Sequence, residues 1–580
     1  MVGPDGGLPA PVAPDGMLPA DHRPRATLAP VSTEPSQRPA DLLLTGGSIV
    51  TMHPARPVAR ALAVRSGRIV AVGSAEDVRG LIGPATRVVQ LAGETVAPGF
   101  QDAHVHPIGA GLARLRCELH EEHGLDTYLG IVAAYAAAHP ELEWITGGGW
   151  SMDDFPGGTP TAADLDRVVP DRPVFLPNRD GHGAWVNTRA LELAGISADS
   201  ADPLDGRIER TPDGRPSGTL HEGAMHLVDR LIPEDTVDDY LAALELAQAY
   251  LHTLGITAWQ DAWVTPDMVE AYRAFSERGS LTARVVGAHW WDRARGAEQL
   301  DAFVELRERG SHGRFRATSV KLMLDGVLEN FTGAMLHPYL DEHGTPTHRR
   351  GIDFIEPSAL REYVTRIDAL GFQPHFHAIG DRAVRNGLDA VAAARAANGP
   401  SDTRPHIAHI QVIHPDDIGR FAELGVVANA QPFWACHEPQ MDRLTVPFLG
   451  PERTPWQYPF RSLLDAGARL AMGSDWSVST PDPLREMEVA VTRVADIHRD
   501  AAPFLPDERL GLHDAFAAFT SGSAYANHLD DETGTLEVGK LADMVVLDRD
   551  VFAPDAGPLG DARVVATFIE GAAVHDTLPG

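Results

Sequence analysis

Residues 95–106 read TVAPGFQDAHVH. The run starts apolar and ends in His104-Val105-His106, and in a β-strand residues i and i+2 face the same side. His104 and His106 therefore share a face, and two imidazoles on one interior face make half of a metal site. With 26 histidines in 580 residues, a lone His-x-His arises easily by chance. What decides the fold is that seven further segments downstream have the same form.

They are GITAWQDAW (255–263), LTARVVGAHW (281–290), SVKLMLDGV (319–327), FQPHFHAIGD (372–381), RPHIAHIQV (404–412), GVVANAQPF (425–433) and LAMGSDWSV (470–478). Each is a short β-rich run, and helical stretches alternate with them, the pattern of a parallel sheet. Eight such units predict an α/β fold of the (β/α)8 TIM-barrel type, with polar side chains gathered at the C-terminal ends of the strands.

In SVKLMLDG, Val320, Leu322 and Leu324 share one face, and Lys321, Met323 and Asp325 share the other, which points into the barrel. A buried lysine is expensive unless paired or modified. Two readings stay open: an ion pair with an interior carboxylate, or a carbamate formed from CO2, an anionic oxygen ligand able to bridge two metals. His377, with His375 on the same face, His409 and Asp475 fall at the ends of the fifth, sixth and eighth strands.

Between the first and second strands lie about 140 residues, against roughly 2–6 for an ordinary βα loop. An insertion is expected over approximately 115–240, with its own β-like pieces EWITGGGW and RPVFLPNRDGHGAWVN. Both ends of the chain are also β-rich: DLLLTGGSIVTM and ALAVRSGRIVAVG early, GTLEVGKLADMVVLDRD and ARVVATFIEGAAVHD late. We expect them to form one small β-sandwich domain, 41–98 with 531–580, around a barrel of 99–530. Residues 1–40 are rich in Pro, Gly and Ala with a near-repeat, PDGGLPA and PDGMLPA. Such a stretch buries too little apolar surface to offset its ordering entropy and is expected to be a disordered tail.

The formal net charge of -32 argues against nucleic acid and anionic membranes as partners. The two cysteines, Cys117 and Cys436, lie in no zinc-ligand spacing. No apolar run reaches the roughly 18 residues of a membrane span, and no basic-then-apolar leader is visible. A cytoplasmic protein is the expectation.

The segments VAPGFQDAHVHP, DRPVFLPNRDGHGAWVN, GITAWQDA, VKLMLDG, HAIGDRAV, AHIQ, GSDW and LEVGKLADMVVLD resemble the amidohydrolase superfamily. More narrowly, they resemble amidohydrolase family 3, the YtcJ-like group that includes N-substituted formamide deformylases. The resemblance covers roughly 41–575. It implies His104, His106, His377 and His409 as metal ligands, Lys321 as a carboxylated bridging lysine, and Asp475 as ligand and proton carrier. It further implies one or two divalent ions, zinc above all, a small-molecule substrate and, by analogy of fold, a homo-oligomer. An aliphatic residue often stands where this chain has His375, so the fifth-strand ligand is ambiguous, and His377 is preferred. His182, within the insertion, is expected at the site mouth in contact with substrate.

The expected reaction is hydrolysis of a non-peptide C–N bond, an amide or N-substituted formamide, by metal-activated water. A deaminase or cyclic-amide hydrolase on the same scaffold, or a catalytically inactive binding barrel, are the alternatives. Phe433 and Trp434 follow the seventh strand and should face the site. Trp150 is read either as a clamp for an apolar substituent or as core of the insertion. Asp153 and Asp154 are read as a loop cap or as pocket groups, and Glu222 has no role derivable from sequence.

Overall fold

The computed structural model describes residues 38–578. The tail expected over 1–40 lies, up to residue 37, outside the described residues. Eight parallel strands run in chain order around a barrel: Phe100–Val105, Ile256–Val264, Arg284–Trp290, Phe315–Met323, Gln373–Ala378, His406–His409, Val427–Ala430 and Leu470–Met472. The seam closes just past the last strand, where the Asp475 N–H donates to His104 O (2.8 Å) and the His106 N–H donates to Trp476 O (3.0 Å). Gly473 makes this closure possible. A Cβ there would stand 2.5 Å from the His104 nitrogen, so any side chain would force the first and eighth strands apart.

The alternation expected for the fourth strand is present. Val320 and Leu322 join the large core between strands and helices with Phe315, Phe376 and Ile407. Lys321 points the other way, into the barrel, where it is 2% exposed. Apolar residues on the outer face and a polar one on the inner face give this strand a packing role and a site role at once.

The chain ends share one eight-stranded sheet. Strands Leu42–Val50, Val58–Arg65, Arg68–Gly73, Arg87–Gln90 and Thr95–Pro98 combine with Met544–Leu547, Val564–Ile569 and Ala572–Asp576. Thr95–Pro98 pairs with Met544–Leu547 across the two ends. Leu42, Leu44, Leu62, Met544, Val546 and Phe568 close on one core. Leu43, Ala61 and Ala63 pack on the opposite face with Val78.

Between the first two barrel strands, a six-stranded sheet runs in the order Gly206–Arg210, Pro216–Glu222, Gly183–Val186, Val174–Pro177, Ile145–Gly148, Cys117–Glu118. The helix Val237–Thr253 then returns the chain to the barrel. Its start is fixed by a capping box, in which Thr236 Oγ1 accepts from the Asp239 N–H and the Asp239 carboxylate accepts from the Thr236 N–H. No helix among the described residues is long and apolar enough to cross a membrane.

Candidate metal centre

Asp475 is the hub. Its Oδ1 lies 3.1 Å from His104 Nε2 and 2.9 Å from His106 Nε2, and its Oδ2 lies 3.9 Å from His409 Nδ1. Ligand atoms of His104, His106 and Asp475 all fall within 4.8 Å of one another. Lys321 Nζ stands 3.3 Å from the same His104 Nε2. His377 completes the ring: its imidazole centroid is 4.3 Å from that of His409, which is itself 4.8 Å from that of His104. The six side chains named from sequence thus meet at one end of the barrel.

Their protonation suits a cation. Burial drives His375, His377 and His409 well below the ordinary histidine range. His104 falls to about 3, through burial and then the Lys321 charge. Burial would raise the Asp475 carboxyl, but the imidazoles of His104, His106 and His409 set around it hold it well below the usual carboxylate range. Neutral imidazoles around an ionised carboxylate are the form that binds a dication. Among the described residues, both ring nitrogens of His409 are buried without a hydrogen bond, and His377 Nδ1 has only Asp325 Oδ1 before it, at 3.3 Å. Buried polar atoms are rarely left so, and the residues present fit a divalent metal.

Two of these positions carry backbone strain. Asp475 (φ 55°) and His409 (φ 75°) sit in the left-handed region, which costs a non-glycine residue on the order of 1–3 kcal/mol. Supports hold them: Gln431 Oε1 accepts from the His409 N–H (2.6 Å), and Asp475 is pinned by the seam bond.

Burial lowers the Lys321 ammonium to about 7 against the pull of Asp475. Among the described residues no carboxylate forms an ion pair with it, so the ion-paired reading of this lysine finds no partner.

His375 is not at the hub. Its Nε2 lies 2.7 Å from His104 Nδ1, one layer deeper, where it orients His104. Asp102, missed in the sequence, accepts from the His104 N–H (2.9 Å) and from Ser474 Oγ (2.6 Å). Burial pushes it up to about 7 against those bonds. Asp102, His104 and His106 alternate, so the period-2 pattern carried that signal.

His182 reaches the centre from the insertion, its ring 5.3 Å from that of His377. Its Nδ1 lies 3.0 Å from Glu222 Oε1. Burial opposes the charge on His182, but the Glu222 carboxylate prevails and raises it to about 9. Glu222 was singled out in the sequence without a role, and the sequence held no clue to this pairing.

The indole of Trp434 lies nearly parallel to the His409 ring, with centroids 5.8 Å apart. Phe433 turns toward Arg485, whose guanidinium sits 5.3 Å from its ring. Of the two readings of Trp150, the packing takes the core of the insertion and not the substrate contact. It is 0% exposed, packs edge-on against Phe155 and Trp185, and donates its indole N–H to Leu176 O. Such a residue is core, and substrate has no path to it. Asp154 accepts from Tyr128 OH (2.6 Å), and Asp153 accepts from Ser151 Oγ, as a loop cap requires.

A family model for the amidohydrolase family matches residues 87–575. The chain belongs to the amidohydrolase family. The chain is 34% identical to protein LONG AFTER FAR-RED 3 of Arabidopsis thaliana, over 93% of this chain and 92% of that one. It is 29% identical to N-substituted formamide deformylase of Arthrobacter pascens, over 92% and 97%. Among solved structures, an uncharacterized metal-dependent hydrolase of Pyrococcus furiosus matches with TM-score 0.67 and 27% identity, over 88% of this chain and 99% of that one. Family and neighbours together make this amidohydrolase a metal-dependent hydrolase.

Proposed function

We propose that this amidohydrolase cleaves a non-peptide C–N bond, an amide or N-substituted formamide, with Asp475 as the proton carrier. The observation that carries the reading is the convergence of His104 and His106 on Asp475, with Lys321 against the same His104 nitrogen and, among the described residues, no hydrogen bond at either ring nitrogen of His409. The likeness to N-substituted formamide deformylase supports the bond type.

His104, His106, His377, His409, Asp475 and a carboxylated Lys321 would hold one or two divalent ions, zinc in this reading. When bound, such an ion supplies Lewis acidity and brings the pKa of water from about 15.7 toward about 7. Asp475 is ionised and buried at the hub, so it accepts the proton of the attacking water and returns it to the leaving nitrogen. His375 and Asp102 hold His104 in place for this, one at the ring and one at the backbone.

Lys321 forms its carbamate by attack of the neutral amine on CO2: an N–C bond forms as one C–O π bond of CO2 opens onto oxygen, one proton leaves the nitrogen, and a neutral amine becomes an anion. An amine that titrates near 7 is neutral often enough to react. His182 contacts the substrate from the insertion, and Trp434 and Phe433 line the opposite side.

Metal analysis of the purified protein, with hydrolysis of N-substituted formamides and simple amides before and after chelation, tests the reading. Chelator-sensitive release of amine with bound metal is the expected result. Metal-free protein with undiminished turnover, or bound metal with no turnover on the whole panel, overturns it.

A further inference from the structure

His182 is a single side chain on a turn between two short strands, yet it is held as firmly as the barrel ligands. The turn fixes its own backbone: Asn178 Oδ1 accepts from the Gly183 N–H and Asp180 Oδ1 accepts from the His182 N–H, both at 2.9 Å. The ring is fixed from outside the turn. Its Nδ1 lies 3.0 and 3.1 Å from the two oxygens of Glu222, at the end of strand Pro216–Glu222. Glu222 Oε1 also accepts from Thr332 Oγ1 (2.7 Å) and Asn330 Nδ2 (3.2 Å), both in the loop after the fourth barrel strand. Asn330 Nδ2 also reaches His182 O (3.3 Å).

The clamp leaves no slack. At Gly326, directly after the fourth strand, a Cβ would stand 2.0 Å from Thr332 Oγ1 and 2.2 Å from Glu222 Oε1. Only glycine lets barrel loop and insertion meet this closely. With Nδ1 engaged by Glu222, the other ring nitrogen, Nε2, has no hydrogen bond among the described residues, and the ring lies against His377. The arrangement has the form of a second group that fixes the orientation of a working imidazole.

We propose that Glu222, backed by Thr332, Asn330 and Gly326, is a positioning residue that aims His182 Nε2 at the amide group of the substrate. The clamp joins the insertion to the barrel, so the substrate site is complete only when the two are docked. This rests on the amide-hydrolase reading above.

A double-mutant cycle over His182→Ala and Glu222→Ala tests it on a formamide or amide that the wild type turns over. Each single variant should lose roughly tenfold or more in kcat/KM with metal content unchanged, and the double variant should be no worse than His182→Ala alone. Glu222→Gln, which keeps the shape and one acceptor, should recover part of the loss. Gly326→Ala should reproduce the Glu222→Ala defect without altering either side chain. Additive losses in the cycle, or full activity in Gly326→Ala, overturn the proposal.

A readout without turnover stands beside it. Crystal structures of Glu222→Gln and Gly326→Ala should show the His182 ring turned from its present position in at least the latter. A ring unmoved in Gly326→Ala overturns the clamp whatever the activity. A wild type that hydrolyses nothing on the panel counts against the proposed reaction and leaves this structural test to decide the clamp.

Discussion

The barrel interior holds two layers built from the same kinds of side chain, and they differ in one respect. On the floor, His406 Nε2 lies 2.9 Å from Gln260 Oε1, and its Nδ1 lies 3.1 Å from Asn429 Nδ2. Gln260 donates to Gln373 Oε1 (2.9 Å), and Gln373 donates to the backbone oxygens of Arg404 and Ala526. At the mouth, neither ring nitrogen of His409 has a hydrogen bond among the described residues, and His377 Nδ1 has only Asp325 Oδ1, at 3.3 Å. Both layers are buried, and burial lowers the histidines of both. A buried network is stable when every member is satisfied, so the floor is complete as protein. The mouth is complete only with something that accepts lone pairs.

The largest effect is expected where that difference meets chemistry. Asp475→Asn keeps size and one oxygen but removes the proton acceptor. Turnover should fall by about 10²–10⁴-fold with most of the metal retained. Near-normal turnover at normal metal content would remove Asp475 from the role. Lys321→Ala comes next. It should lower bound metal, with partial return of metal and activity on adding a short-chain carboxylate such as formate or propionate. Full metal and full activity in that variant would make the lysine structural and the mouth less unlike the floor.

A smaller effect is expected from pH. The folded Lys321 titrates near 7 instead of near 10.5, so its neutral fraction rises through neutrality. At fixed dissolved CO2, reloading of metal-stripped enzyme should be about tenfold better supplied with free amine at pH 8 than at pH 6. The sign follows from the depressed value: protonation below 7 blocks the amine. Reloading that is flat between these pH values, or better at pH 6, would contradict a carbamate.

The barrel was legible because each strand repeats one pattern, and register then fixes what points inward. Lys321 among Val320, Leu322 and Leu324 is the plainest case, since a lysine facing the helices would have had no reason to be there. The convergence of His104, His377, His409 and Asp475 followed from the closed barrel. What escaped was contact between segments with no shared period. Glu222 meets Thr332 across 110 residues of chain, and nothing local to either predicts the other. Trp150 stayed open for a different reason. An indole after a glycine run looks the same in sequence whether it lines a mouth or fills a core, and only the Leu176 carbonyl that takes its N–H decides.

The smallest effect on chemistry, and the sharpest test of the comparison, lies at His406. His406→Leu fills similar volume with an apolar side chain. It leaves Gln260 Oε1 without its partner, at about 1–3 kcal/mol for a buried group left unsatisfied, while Asn429 Nδ2 keeps its bond to Ala103 O. Thermal unfolding should therefore move down, while kcat of the folded fraction stays within about threefold, since no atom of the mouth loses a partner. His375 is the one link between the layers: its ring centroid lies 3.9 Å from that of His406, and its Nε2 touches His104. If the floor merely supports, His406→Leu leaves metal content unchanged. If instead metal content and turnover fall together while unfolding is unmoved, the distinction between a finished floor and a waiting mouth fails, and the interior is one coupled stack of imidazoles from His406 through His375 to His104.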